Sequence, residues 1–132
     1  MRQRILVVDD EESARMSVEL ALTMAGYKVL GTSDVEDAIV KAIEARDNNN
    51  PFDLLITDFK MPKLTGLELI DQLSNHDIEI PTLIITGFAD DQLVDELSQR
   101  NSVEYYEKPM DPDTLVSQVQ QIIKQKGTGE IE

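Results

Sequence analysis

Five short strand-like runs alternate strictly with stretches whose apolar residues recur at helical spacing, and no other feature of the chain narrows its fold so far. Ile5-Leu6-Val7-Val8, Tyr27-Lys28-Val29-Leu30, Leu54-Leu55-Ile56, Leu83-Ile84-Ile85 and Val103-Glu104-Tyr105-Tyr106 read as strands. After the first, Val18, Ala21, Leu22 and Ala25 fall on one helix face, and Gly26 is a stop. Ser33 or Asp34 caps a helix carrying Val35, Ala38, Ile39, Ala42 and Ile43. Residues 47–51 form a loop, and 61–66 an irregular connection before a helix begun by Leu67, Ile70 and Leu73. Pro81 opens the fourth strand, and a weaker helix over 90–100 carries Leu93, Val94 and Leu97. Asp111-Pro112 is an N-cap followed by proline at the first helical position, ahead of Leu115, Val119, Ile122 and Ile123. Alternation of this kind predicts an α/β fold with a parallel sheet, doubly wound by right-handed crossovers. Ligands of such folds sit beyond the carboxyl ends of the strands, where the strand order reverses.

Four of the five runs lead into residues able to handle a phosphoryl group. The first leads to Asp9-Asp10, the third through Thr57 to Asp58, the fourth to Thr86, and the fifth towards Lys108-Pro109. If the first and third strands are neighbours, three carboxylates meet. Two of them about 4 Å apart would repel by roughly 4 kcal/mol at an effective dielectric of 20. A hard divalent cation relieves this, and Mg²⁺ suits a site with few carboxylates that is completed by water and phosphate. Lys108 supplies a second positive charge. Asp58, ending a buried strand, is the nucleophile candidate for an aspartyl phosphate. Thr86 can donate a hydrogen bond to a phosphoryl oxygen, and Gly87 leaves room for the incoming group. Positioning and charge neutralisation suffice for phosphoryl transfer.

Composition removes several alternatives. A chain of 132 residues fits one domain, 1–126, with 127–132 as a polar tail or the start of a linker. With no cysteine, disulfides, thiolate metal sites and thiol catalysis are excluded. No apolar stretch approaches the roughly 18–20 residues of a membrane span, and no secretory signal core opens the chain, so a cytoplasmic location is expected. The net charge of −14 opposes direct nucleic-acid binding and suits basic partners or divalent cations.

The chain resembles the receiver domain of bacterial two-component response regulators over residues 4 to about 125. The resemblance rests on Val8-Asp9-Asp10-Glu11, Asp58 followed by Met61-Pro62 and Gly66, Thr86-Gly87, and Lys108-Pro109. It implies a flavodoxin-like five-stranded sheet in the order 2-1-3-4-5. It implies that Asp58 takes a phosphoryl group from the phosphohistidine of a histidine kinase or phosphotransfer domain. Asp10, Asp58 and the backbone carbonyl of Lys60 would hold Mg²⁺, with Asp9 acting through water; Lys108 would bind the phosphate, and the Lys108-Pro109 peptide would be cis. Thr86 and Tyr105 would be the hydroxyl and aromatic switches, with Tyr106 packed on the opposite face. Phosphorylation would then change binding to a downstream effector, with homodimerisation as one outcome. Enzymatic activity would be limited to self-phosphorylation from a donor and self-dephosphorylation.

Lys60 and Phe88, two residues beyond Asp58 and Thr86, flank the pocket mouth in such domains and are expected to lengthen the phosphoryl lifetime. The single histidine, His76, reads as surface, and Met61 and Met110 as packing. Two other classes fit less well. A flavin or nucleotide protein needs a phosphate-cradling loop where Asp9-Asp10-Glu11-Glu12 stands. A hydrolase with an aspartyl-phosphate intermediate lacks its Asp-x-Asp pair at Asp58-Phe59-Lys60. Within the receiver reading, a phosphate shuttle or the regulatory domain of a larger transcription regulator is the alternative to a stand-alone switch.

Overall fold

The computed structural model describes residues 3–109 and 111–131. Met1, Arg2 and Glu132 lie outside the described residues, as does Met110 with its expected packing role. The elements alternate as β1 (Arg4–Val8), α1 (Glu12–Met24), β2 (Lys28–Thr32), α2 (Val35–Asp47), β3 (Leu54–Asp58), α3 (Gly66–Asn75), β4 (Thr82–Thr86), α4 (Asp91–Ser98), β5 (Val103–Glu107) and α5 (Pro112–Ile131). All strand pairs are parallel, in the order β2-β1-β3-β4-β5. The α/β, doubly wound expectation holds.

Successive strand residues face opposite sides of a sheet, and here both sides are covered, so the central strands are apolar without alternation. Ile5, Val7, Leu54 and Ile56 face one side and pack against Val18 and Leu22 of α1 and Leu115 and Val119 of α5. Leu6, Val8 and Leu55 face the other, against Val35, Ala38 and Ala42 of α2 and Leu69 and Leu73 of α3. Ile84 joins Leu67 with Leu93 and Leu97 of α4 in a smaller cluster. Most residues of the helical stripes read from the sequence close the two layers; Ala25 and Val94 do not, both being exposed.

Helix ends follow local chemistry. Past α1, Gly26 takes φ of 99°, a left-handed conformation suited to glycine. Thr65 and Glu68 form a reciprocal capping box at α3: the Glu68 N–H donates to Thr65 Oγ1 at 3.2 Å, and the Thr65 N–H to Glu68 Oε1 at 2.9 Å. The Asp90 carboxylate accepts the Leu93 N–H at 2.8 Å and starts α4. Asp111 accepts the Thr114 N–H at 3.2 Å as α5 begins at Pro112, as the sequence suggests.

Several boundaries differ from expectation. β2 continues past Leu30 through Gly31 and Thr32 because both pair with β1, opposite Val7 and Val8. β5 gains Glu107, which pairs with Thr86. α5 runs to Ile131, taking in residues 127–131 that the sequence reading set apart as a tail. No proline interrupts that stretch, and each glycine costs a helix only about 1 kcal/mol relative to alanine.

Candidate functional site

β1 and β3 are adjacent, with Val8 opposite Thr57. The residues that follow, Asp9 and Asp58, therefore finish side by side where the strand order reverses, since β2 lies on one side of β1 and β3 on the other. Asp9 is 5% exposed, Asp58 half-buried and Asp10 exposed. Each offers a carboxylate oxygen within 4.8 Å of the other two.

Such a cluster repels itself, and several groups partly offset the repulsion. Lys108 Nζ lies 3.4 Å from Asp58 Oδ1. The same oxygen accepts the Phe59 N–H at 3.0 Å. Asp9 Oδ1 accepts the Glu11 N–H at 2.9 Å, and the Arg15 guanidinium donates to the Asp9 carbonyl at 3.0 Å. Compensation is incomplete. Burial lifts Asp9 above its ordinary value, and the charges of Asp58 and Asp10 add to this against the Glu11 N–H and Lys108. Burial likewise raises Asp58, against the charge and hydrogen bond of Lys108. An all-oxygen donor set with surplus negative charge fits a hard divalent cation.

The backbone under Asp58 is fixed closely. The Thr57 hydroxyl donates to the Asp58 carbonyl at 3.0 Å. The Gly66 N–H donates to the Phe59 carbonyl at 2.7 Å, and Lys60 bridges Thr65, so the 59–66 loop closes on itself. A Cβ on Gly66 would lie 3.0 Å from both the Asp58 carbonyl oxygen and Thr57 Cγ2. Glycine suits the position because the helix start passes so close to the strand end. Met61 packs against the α2–α3 side of the core, as expected.

Thr86 ends β4, buried, with its hydroxyl donating to the Phe88 carbonyl at 3.2 Å and accepting the Phe88 N–H at 3.3 Å. The Lys108 N–H donates to the Thr86 carbonyl at 2.8 Å, and the Lys108-Pro109 peptide is cis. An open cleft of about 520 Å³ runs over Asp58, Lys60, Thr86, Phe88, Glu96 and Lys108. Gly87 also lines it, and a Cβ there would meet no protein atom within 4 Å. Phe88 is 72% exposed at the rim.

Tyr105 stands apart. It is 38% exposed and borders a shallow surface groove with Val94, Leu97 and Glu104, away from Asp58. Tyr106 is buried on the opposite side, its hydroxyl accepting the Asp111 N–H at 2.8 Å. His76 is exposed; its carbonyl accepts a hydrogen bond from Arg46. Sequence reasoning missed Arg15, the Phe59 N–H and Glu107, whose carboxylate reaches the β4–α4 loop. Only strand register places Glu107, beside Thr86.

Among the described residues, no helix is long and apolar enough to cross a membrane. Residues 5–120 match the response regulator receiver domain family. The transcriptional regulatory protein FixJ of Rhizobium meliloti is 32% identical over 86% of this chain and 53% of its own length. The alkaline phosphatase synthesis transcriptional regulatory protein PhoP of Bacillus subtilis is 34% identical over 94% of this chain and 50% of its own. The chain thus spans about half the length of these relatives. Among solved structures, chemotaxis protein CheY4 of Vibrio cholerae superposes with a TM-score of 0.82 at 30% identity, covering 92% of this chain and 99% of that one. The FixJ-N crystal structure gives a TM-score of 0.79 at 30% identity, covering 94% and 95%.

Proposed function

The chain belongs to the response regulator receiver domain family, the phosphorylation-dependent switches of two-component signalling, and from that membership we propose the chemistry of its site. Asp58 accepts the phosphoryl group. Its carboxylate oxygen attacks the phosphorus of a phosphohistidine on a histidine kinase or phosphotransfer domain. The N–P bond breaks, its electron pair stays on the imidazole, and a solvent proton completes the leaving group. Water later attacks the acyl phosphate, releasing inorganic phosphate and restoring the carboxylate. The chain catalyses no other reaction.

The observation that carries this reading is the convergence of Asp9, Asp10 and Asp58 within 4.8 Å, with Lys108 3.4 Å from Asp58. Asp10, Asp58 and the Lys60 carbonyl would hold Mg²⁺, with Asp9 through water; when bound, the ion neutralises phosphoryl oxygens that these carboxylates would otherwise repel. Lys108 binds and neutralises the group from the other side. Thr86 leaves Phe88 to donate to a phosphoryl oxygen, and Tyr105 turns inward from its exposed position. These changes select between two arrangements of the α4–β5 face and so change which effector, or second copy of the chain, binds there. Lys60 and Phe88 at the rim hinder the attacking water and lengthen the phosphoryl lifetime. A location in the cytoplasm follows from the kinase partnership.

Titration with beryllofluoride, a phosphoryl mimic, and Mg²⁺, followed by size exclusion and amide chemical shifts, tests the proposal. The wild type should bind and shift residues 86–98 and 103–108, whereas Asp58→Asn should not respond. A wild type that fails to bind the mimic refutes the phosphoacceptor assignment.

A further inference from the structure

The β4–α4 connection, residues 87–90, is restrained one residue at a time. Thr86 holds Phe88 through both of its backbone polar groups. Glu107 Oε2 accepts the Ala89 N–H at 3.1 Å. The Asp90 side chain is committed to the Leu93 N–H. Glu107 pairs with Thr86 in the β4–β5 ladder, so its side chain crosses the sheet edge to grip the middle of a loop belonging to another strand.

A threonine hydroxyl has one proton, and here it is donated to the Phe88 carbonyl. Thr86 must give up that bond before it can donate to a phosphoryl oxygen. From then on Glu107 is the strand-end side chain that still ties the loop to its resting place. We propose that Glu107 is a positioning residue: by anchoring Ala89 it holds the β4–α4 loop in the resting arrangement and sets how readily Thr86 is released. This rests on the phosphoacceptor role of Asp58 argued above. Breaking the anchor favours the switched arrangement, and a ligand that prefers that arrangement then binds more tightly.

Glu107 also carries charge of the same sign as a phosphoryl group, so anchoring and plain repulsion must be separated. Glu107→Gln removes the charge and keeps an oxygen that can accept the Ala89 N–H; Glu107→Ala removes both. Glu107 is exposed, so neither change disturbs the core. Beryllofluoride affinity in saturating Mg²⁺ should tighten roughly two- to tenfold in Glu107→Ala, the range one ordinary hydrogen bond supports, and stay near wild type in Glu107→Gln. Without ligand, hydrogen exchange at the Ala89 amide should speed up in the alanine variant only, and affinity for Mg²⁺ alone should be the same in all three proteins. Equal tightening in both variants would assign the effect to charge and overturn the anchor. So would unchanged or weaker binding by Glu107→Ala, or an altered Mg²⁺ affinity. If the wild type itself binds no beryllofluoride, the phosphoacceptor reading fails and takes this proposal with it; binding with no difference among the three proteins removes the anchor alone.

Discussion

Replacing Asp9 by Asn should make the metal-free protein more stable, although Asp9 sits at the centre of the site. Three carboxylates lie within 4.8 Å of one another, and at an effective dielectric of 20 each ionised pair at that separation repels by roughly 3–4 kcal/mol. Much of this is offset: Asp10 is exposed to screening solvent, and Lys108 attracts Asp9 and Asp58. Asn keeps an oxygen for the Glu11 N–H, so little is lost in exchange. A net gain of about 1–2 kcal/mol at neutral pH follows. The sign agrees with linkage. A carboxyl whose folded pKa is raised binds its proton more tightly in the native state than in the unfolded chain. Its penalty is absent below the ordinary value of 3.8, grows as pH rises from there through the raised value, and is complete above it. Urea unfolding in the presence of a chelator should show a midpoint higher by about 0.5–1 M for Asp9→Asn, using a typical slope. The advantage should shrink below pH 4. It should also vanish or reverse in saturating Mg²⁺, because the wild type gains binding free energy that the variant partly forgoes. An Asn variant less stable than wild type in chelator, or one whose advantage survives Mg²⁺, would refute the electrostatic reasoning.

Gly66→Ala should destabilise by about 1–3 kcal/mol in urea unfolding, despite alanine's better helix propensity, because the added Cβ presses on the Asp58 carbonyl and Thr57; a neutral outcome would mean that the approach can relax. Thr65→Ala breaks the capping box and should cost about 1 kcal/mol in the same assay, with little change in beryllofluoride affinity. Lys60→Asn should speed loss of the phosphoryl group, measured as single-turnover dephosphorylation; an unchanged rate removes Lys60 from the account of lifetime.

Much of this was legible in the sequence because strand-end chemistry is written in residue types. Asp9 and Thr86 follow an apolar run directly, Asp10 and Asp58 come one residue later, and once those runs are parallel strands their ends must share an edge. The buried stripes Val18–Leu22 and Leu115–Val119 were equally plain, since both faces of the sheet needed covering. What stayed hidden depended on register. Gly31 and Thr32 look like the end of a strand until β1 pairs with them. Glu107 looks like one more surface acid in a chain with 26 acidic residues until the ladder sets it beside Thr86. The Thr65–Glu68 box fits the sequence signature of a cap, but Gly66 after an irregular loop masked it.

The closed 59–66 loop also determines where the chain can be rebuilt. Its two ends are joined by the Gly66–Phe59 hydrogen bond and the Lys60–Thr65 bridge. A peptide inserted there would sit against the backbone that sets Asp58 and at the mouth of the cleft that Lys60 lines. The Asn48–Asn50 turn lies at the opposite end of the sheet, exposed, with Asn49 already at φ of 58°. Tags, reporter domains or new chain termini belong at that turn, where a graft leaves the acidic edge untouched.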